Sequence, residues 1–252
     1  MIENPLFYPA AVVAIILVGI SKGGFGGGLA IMAVPIMALT IPPLQAAAIM
    51  LPILCIMDIT GLHAYWKTWD TRNLRIMIPG GLAGIALAAL TFHWVSEDML
   101  RVLVGCIAVS FTMHYYMRAR HGHGPPADIS VIRGGFWSAV SGFTSFAAHA
   151  GGPPATVYLL PQRLDKTLFA GTAVVFFTTV NYAKLVPYAW LGQFSAGNLL
   201  TALVLAPLAP VGIRLGIWLH HRVSQVWFYR ICYTLLFFAG VRLLWQGASN
   251  LL

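Results

Sequence analysis

Charge is scarce in this chain. Of its 252 residues only 9% are Asp, Glu, Lys or Arg, and seven are acidic. A soluble domain carries about 25% charged residues, so this chain lacks the polar groups to cover a water-facing surface. Cysteine is nearly absent too. Cys55, Cys106 and Cys232 all fall in apolar stretches without metal-ligand spacing, which makes them small core residues rather than a metal site. No H-E-x-x-H and no G-K-[ST] occurs, so neither a metalloprotease nor a nucleotide-binding loop is encoded, and no cofactor is expected. No basic run carries interleaved aromatics, which argues against nucleic acid. The N-terminus shows no basic n-region and no cleavage site, so it is expected to be retained.

What the chain has in abundance is apolar sequence. Hydrophobic residues make up 59% of it, with a mean hydropathy of +0.79. Six stretches approach the length a helix needs to cross a bilayer: Leu44–Trp66, Leu74–Val95, Met99–Met117, Leu168–Trp190, Leu199–His220 and Val226–Trp245. They are too continuous for the alternating strands of an outer-membrane barrel. The expected fold is therefore an all-α polytopic membrane protein, with the lipid bilayer as its surroundings. The net charge of +8 fits basic cytoplasmic loops.

Within this apolar background Ser21-Lys22-Gly23-Gly24-Phe25-Gly26-Gly27-Gly28 stands out. A charge at such a place is costly unless paired or facing a polar cavity, and reads as functional. Glycines let the backbone leave helical geometry and approach a ligand, and a helix restarting after the break offers N–H groups to an anion. Ser21, Lys22, Gly23, Gly24, Gly27 and Gly28 are thus substrate-binding candidates. Close helix packing through small residues is the plainer reading of Gly24 and Gly28, but it leaves Lys22 unexplained.

A similar break recurs at Ser141–Pro154, where small polar residues and His149 precede Gly151-Gly152-Pro153-Pro154. Proline in a first helical turn removes no needed donor. Ser145, His149, Gly151 and Gly152 join the candidates, with His149 able to neutralise an anion or carry a proton. Three polar residues lie inside long spans: Asp58, Asn181 and Lys184. With His149 they are the candidates for proton coupling. The plainer readings are an interhelical bond for Asp58 and snorkelling for Lys184. Gly19–Gly23 also fits G-x-S-x-G, which with His149 would make Ser21 a hydrolase nucleophile, but the strand–turn–helix context is missing.

The order of features repeats: a glycine-broken segment, then three long spans, in each half. Gly27-Gly28 and Gly151-Gly152, Leu44 and Leu168, Trp66 and Trp190, and Trp94 and Trp218 stand 124 residues apart. Repeats of this kind are common in secondary transporters. The halves are 1–117 and 134–252, joined by a basic connector at 118–133. Basic residues around Lys67, Arg72 and Arg75 and in the connector, against the acidic turn Glu97-Asp98 and the basic turn His220–Arg222, favour halves of opposite orientation. Each would be a re-entrant or broken glycine-rich hairpin plus three transmembrane helices. Eight plain crossings with parallel halves is the competing arrangement.

Gly19–Pro35, G-I-S-K-G-G-F-G-G-G-L-A-I-M-A-V-P, and Gly142–Leu160, with its H-A-G-G-P-P, resemble the paired glycine-rich segments of the sulfite exporter TauE/SafE family. The spacing of spans resembles it across nearly the whole chain, while Phe146-Ala147-Ala148-His149 departs from the more usual glycine-containing run. The resemblance implies a transporter, not an enzyme, for small anions such as sulfite, thiosulfate or organosulfonates. The expected site lies near the bilayer midplane with Lys22 as cationic anchor. The rival readings are the intramembrane serine hydrolase and a non-transporting partner-binding protein; a homodimer stays open.

Overall fold

The computed structural model describes residues 2, 4–27, 30, 32–91, 97–119 and 126–251. Among these the chain is all-helical: α1 (Phe7–Gly24), α2 (Ala33–Met37), α3 (Pro43–Ala64), α4 (Thr71–Thr91), α5 (Glu97–Ala119), α6 (Val131–Ala148), α7 (Gly152–Leu159), α8 (Lys166–Trp190), α9 (Ala196–Leu205), α10 (Leu208–Arg222) and α11 (Gln225–Leu251).

 Among the described residues five helices are long and apolar enough to cross a membrane, or six if the bent pair α9 and α10 counts as one span. The structure corrects one expected span: Leu199–His220 is not continuous but breaks at Ala206-Pro207, where α9 and α10 meet at 43°. Proline has no N–H for the helical ladder and crowds the preceding turn. α5 runs to Ala119 and α6 starts at Val131. Trp94 and the His121-Gly122-His123 stretch lie outside the described residues.

Side-chain caps mark where several helices begin. Asp70 accepts the N–H of Asn73 at 2.8 Å, Ser130 that of Arg133 at 3.3 Å, Asp165 that of Thr167 at 2.9 Å and Ser195 that of Asn198 at 3.2 Å. Each supplies an acceptor to an N–H that the helix leaves unpaired.

Two bonds fix how the broken segments run. Asn4 Nδ2 donates to the Thr40 carbonyl at 3.3 Å, and the Ala127 N–H donates to the Pro161 carbonyl at 2.9 Å. The segment before α1 thus lies beside the segment after α2, and the segment before α6 beside the end of α7. Thr40 precedes α3, whereas Pro161 lies beside Gln162, whose side-chain amide exchanges bonds of 2.8 and 3.2 Å with Asn73 at the start of α4, beyond the far end of α3.

Glycine decides the closest helix pairs. α1 lies against α10, where a Cβ on Gly19 would stand 2.6 Å from Gly212 Cα and one on Gly24 2.5 Å from the Gly216 carbonyl. α4 lies against α6, where a Cβ on Gly84 would run into the Ala139 carbonyl and one on Gly142 into that of Gly81. Helices approach this closely in membranes through small residues, because dispersion contacts replace the hydrophobic drive. Replacing Gly84 with valine is expected to lower the unfolding temperature of detergent-purified protein, at an overpacking cost of about 1–3 kcal/mol. Gly135→Ala is the control, since a Cβ there meets nothing within 4 Å. Equal losses in the two variants would contradict the packing account.

Candidate functional site

The first break starts where α1 runs out at Gly24. The Ser21 carbonyl accepts the N–H groups of Phe25 at 2.8 Å and Gly27 at 3.0 Å, closing the helix with Gly26 and Gly27 at φ +69° and +77°. Side chains with a Cβ rarely adopt that left-handed geometry. The Gly23 carbonyl, left over by the helix, takes the Tyr65 hydroxyl at 2.6 Å.

The second break uses the same bonds. Ala150 N–H donates to the Thr144 carbonyl at 3.1 Å, the Tyr188 hydroxyl donates to the Phe146 carbonyl at 3.2 Å, and His149 takes the left-handed position at φ +52°. Every residue of this set stands 123 positions after its counterpart, as Asn181 does after Asp58. The bonds thus repeat at 123, one residue off the spacing of 124 that the glycine and tryptophan pairs suggest. His149 stands where the first break has Gly26. A left-handed backbone costs a residue other than glycine about 1–2 kcal/mol.

Between the breaks α3 and α8 lie side by side and contribute the polar groups. Lys22 Nζ bonds Asp58 Oδ1 at 2.6 Å, and Asn181 Nδ2 donates to Asp58 Oδ2 at 2.7 Å. Asp58 is 1% exposed and Lys22 6%. Both carboxylate oxygens are occupied, and the pair is neutral as a unit. Lys184 is different. It is fully buried, at 0% exposure, and donates to the Ser145 carbonyl at 3.1 Å and Ser145 Oγ at 3.0 Å. Among the described residues no carboxylate lies within ion-pair distance of it. A buried ammonium without a counter-charge is strongly unfavourable.

Lys184 lines a cavity together with Lys22, Gly27, Ser145, His149 and Asn181. Leu54 and Phe177 form an apolar wall, and Gly151 and Gly152 bring the start of α7 to the rim. His149 turns its ring nitrogens to the carbonyls of Ser145 at 3.2 Å and Ala47 at 3.3 Å.

The structure thus brings Lys22, Gly27, Ser145, His149, Gly151, Gly152, Asn181 and Lys184 around one space, with Asp58 behind Lys22. Gly23 and Gly24 instead face α10, and Ser21 is buried in the last turn of α1. That helical setting differs from the strand–turn–helix a nucleophile elbow needs. Gly28 lies outside the described residues. The burial of Lys184 rules out the snorkelling reading. Sequence reasoning did not single out Leu54 or Phe177, which no pattern separates from other apolar residues of their spans. No group of three or more metal-ligating side chains is found among the described residues.

A cavity lined by two lysines and served by one carboxylate suits an anion. No curated protein and no solved structure matches the chain. Residues 11–243 match a protein family described as sulfite exporter TauE/SafE, a family of membrane transporters rather than enzymes. With that match over nearly its whole length, this multi-pass membrane chain belongs to the sulfite exporter TauE/SafE family.

Proposed function

We propose that this chain is a secondary transporter that holds a small anion, a sulfur oxyanion or an organosulfonate, in the cavity between its two helix breaks. The observation that carries this reading is Lys184: a wholly buried lysine beside a cavity, whose ammonium form no carboxylate among the described residues would balance. An anion in the cavity supplies that balance. Ser145, His149, Asn181 and the backbone at Gly27, Gly151 and Gly152 surround the same space, and Lys22, held by Asp58, adds positive potential at its edge. The apolar wall of Leu54 and Phe177 suits an anion with a small apolar part.

The bonds repeated at a spacing of 123, and two broken segments closed at opposite ends of α3, support two inverted repeats, 1–117 and 134–252. On this reading each repeat contributes one re-entrant hairpin, and the hairpin tips meet at the cavity. A bacterial inner membrane is the setting that fits the family and the basic loops.

The test is the thermal stability of detergent-purified protein in sulfite, sulfate, thiosulfate, taurine, sulfoacetate and chloride. A ligand that binds the folded state alone stabilises it by about 2.7 kcal/mol at a hundred times its Kd. Selective stabilisation by one or two sulfur anions is the expected result. No shift with any of them would contradict the proposal.

A further inference from the structure

We infer that Lys184 carries one proton together with each anion, so that the transported unit is an anion plus a proton. This rests on the anion site proposed above and goes beyond it in assigning the coupled ion. The argument is a count of donors. A neutral amine has two N–H groups, and among the described residues Lys184 Nζ has two acceptors, the carbonyl and the hydroxyl oxygen of Ser145. In the empty cavity the neutral amine is therefore satisfied and no unbalanced charge is buried. An ammonium has three N–H groups. The third finds its acceptor only when an anion occupies the cavity that Lys184 lines.

The charged and titratable groups facing Lys184 do not offer an alternative counter-charge. They are Lys22 from α1, Asp58 and Cys55 from α3, His149 from α6, and Tyr188 one turn along α8 itself. Asp58 is held by Lys22 and Asn181. His149 sets its ring nitrogens near two backbone carbonyls, of which a neutral imidazole can serve only one, and it brings no negative charge.

The step is a simple proton transfer. As the anion enters, the lone pair on Lys184 Nζ takes a proton from water on the same side, and the new N–H donates to the anion. On release at the other side the anion leaves and that N–H returns its proton to water. For a monovalent anion the cycle moves no net charge, so a pH gradient drives it and the membrane potential does not.

The experiment measures proton uptake during anion binding. Purified protein in weakly buffered detergent solution is titrated with sodium methanesulfonate and sodium thiosulfate, whose charges are constant near neutral pH. Calorimetry follows binding and a pH-sensitive dye follows protons. The expected result is about one proton taken up per anion bound, and an affinity that falls about tenfold per pH unit where that uptake is complete. Lys184→Arg, whose guanidinium stays charged, is expected to bind without proton uptake and with little pH dependence. Wild-type binding without proton uptake overturns the inference and leaves the anion site standing. Uptake retained in Lys184→Arg but lost in His149→Gly also overturns it, by moving the proton to His149. No binding of either anion overturns the inference and the site together. If the arginine variant does not fold, loss of proton uptake in a folded His149→Gly protein still overturns the assignment to Lys184, and its retention supports it.

Discussion

Replacing Asp58 with alanine is expected to remove about 3–5 kcal/mol of stability, the usual effect of breaking a buried ion pair from one side. The loss comes from what remains. Lys22, 6% exposed at the end of α1, would keep its charge without the carboxylate 2.6 Å away, and Asn181 would lose the oxygen it donates to. α1, α3 and α8 meet at this one carboxylate, so the damage reaches all three. The double variant Lys22→Met with Asp58→Leu is expected to recover much of the loss, because apolar groups of similar size often replace a buried pair at little cost. Thermal unfolding of the purified single and double variants checks this. A double variant no more stable than Asp58→Ala would contradict the pairing account. Lys22→Ala is for the same reason a poor probe of anion binding, since it leaves Asp58 buried without its cation.

Lys184→Met has the second large effect, and it falls on binding instead. Losing one side of a buried charge-assisted contact costs about 2–5 kcal/mol, or about 30-fold or more in affinity. Methionine fills a comparable volume and brings no charge, so α8 is expected to stay packed. Calorimetric titration of the variant with the anion that best stabilises wild type measures the effect. Wild-type affinity in a folded Lys184→Met protein would remove Lys184 from the site. The two variants therefore separate the cavity's two lysines: Lys22 holds the bundle together through Asp58, and Lys184 holds the anion.

Much of the fold is legible in the sequence because lipid imposes simple demands. A span must be apolar and about 20 residues long, and that places α3, α4, α5, α8 and α11 close to their observed bounds. The α9–α10 break is harder to read. Pro207 marks it, but Pro52, Pro79 and Pro187 lie within helices that continue. Neighbouring helices in a membrane can re-satisfy the freed backbone groups, so proline alone does not locate a break.

The candidate residues are legible by type, whereas their partners are not. Charges in apolar sequence single out Lys22, Asp58 and Lys184, but which of them pair depends on how α1, α3 and α8 cross. Lys22 and Asp58 lie 36 residues apart and Asp58 and Asn181 123 apart, distances at which no local pattern operates. The glycines carry a mixed signal for the same reason. Gly26 and Gly27 serve left-handed backbone, while Gly19, Gly23 and Gly24 serve the approach of α10. The spacing of Gly212 and Gly216, four apart and opposite Gly19 and Ile20, is the one trace of that approach in the second half.

The most direct test of the central claim is anion uptake into proteoliposomes containing the purified chain, followed with radiolabelled sulfite or thiosulfate. The account predicts uptake by wild type well above that of protein-free vesicles, and its loss in Lys184→Met reconstituted to the same level. Equal uptake by wild type and Lys184→Met would contradict it.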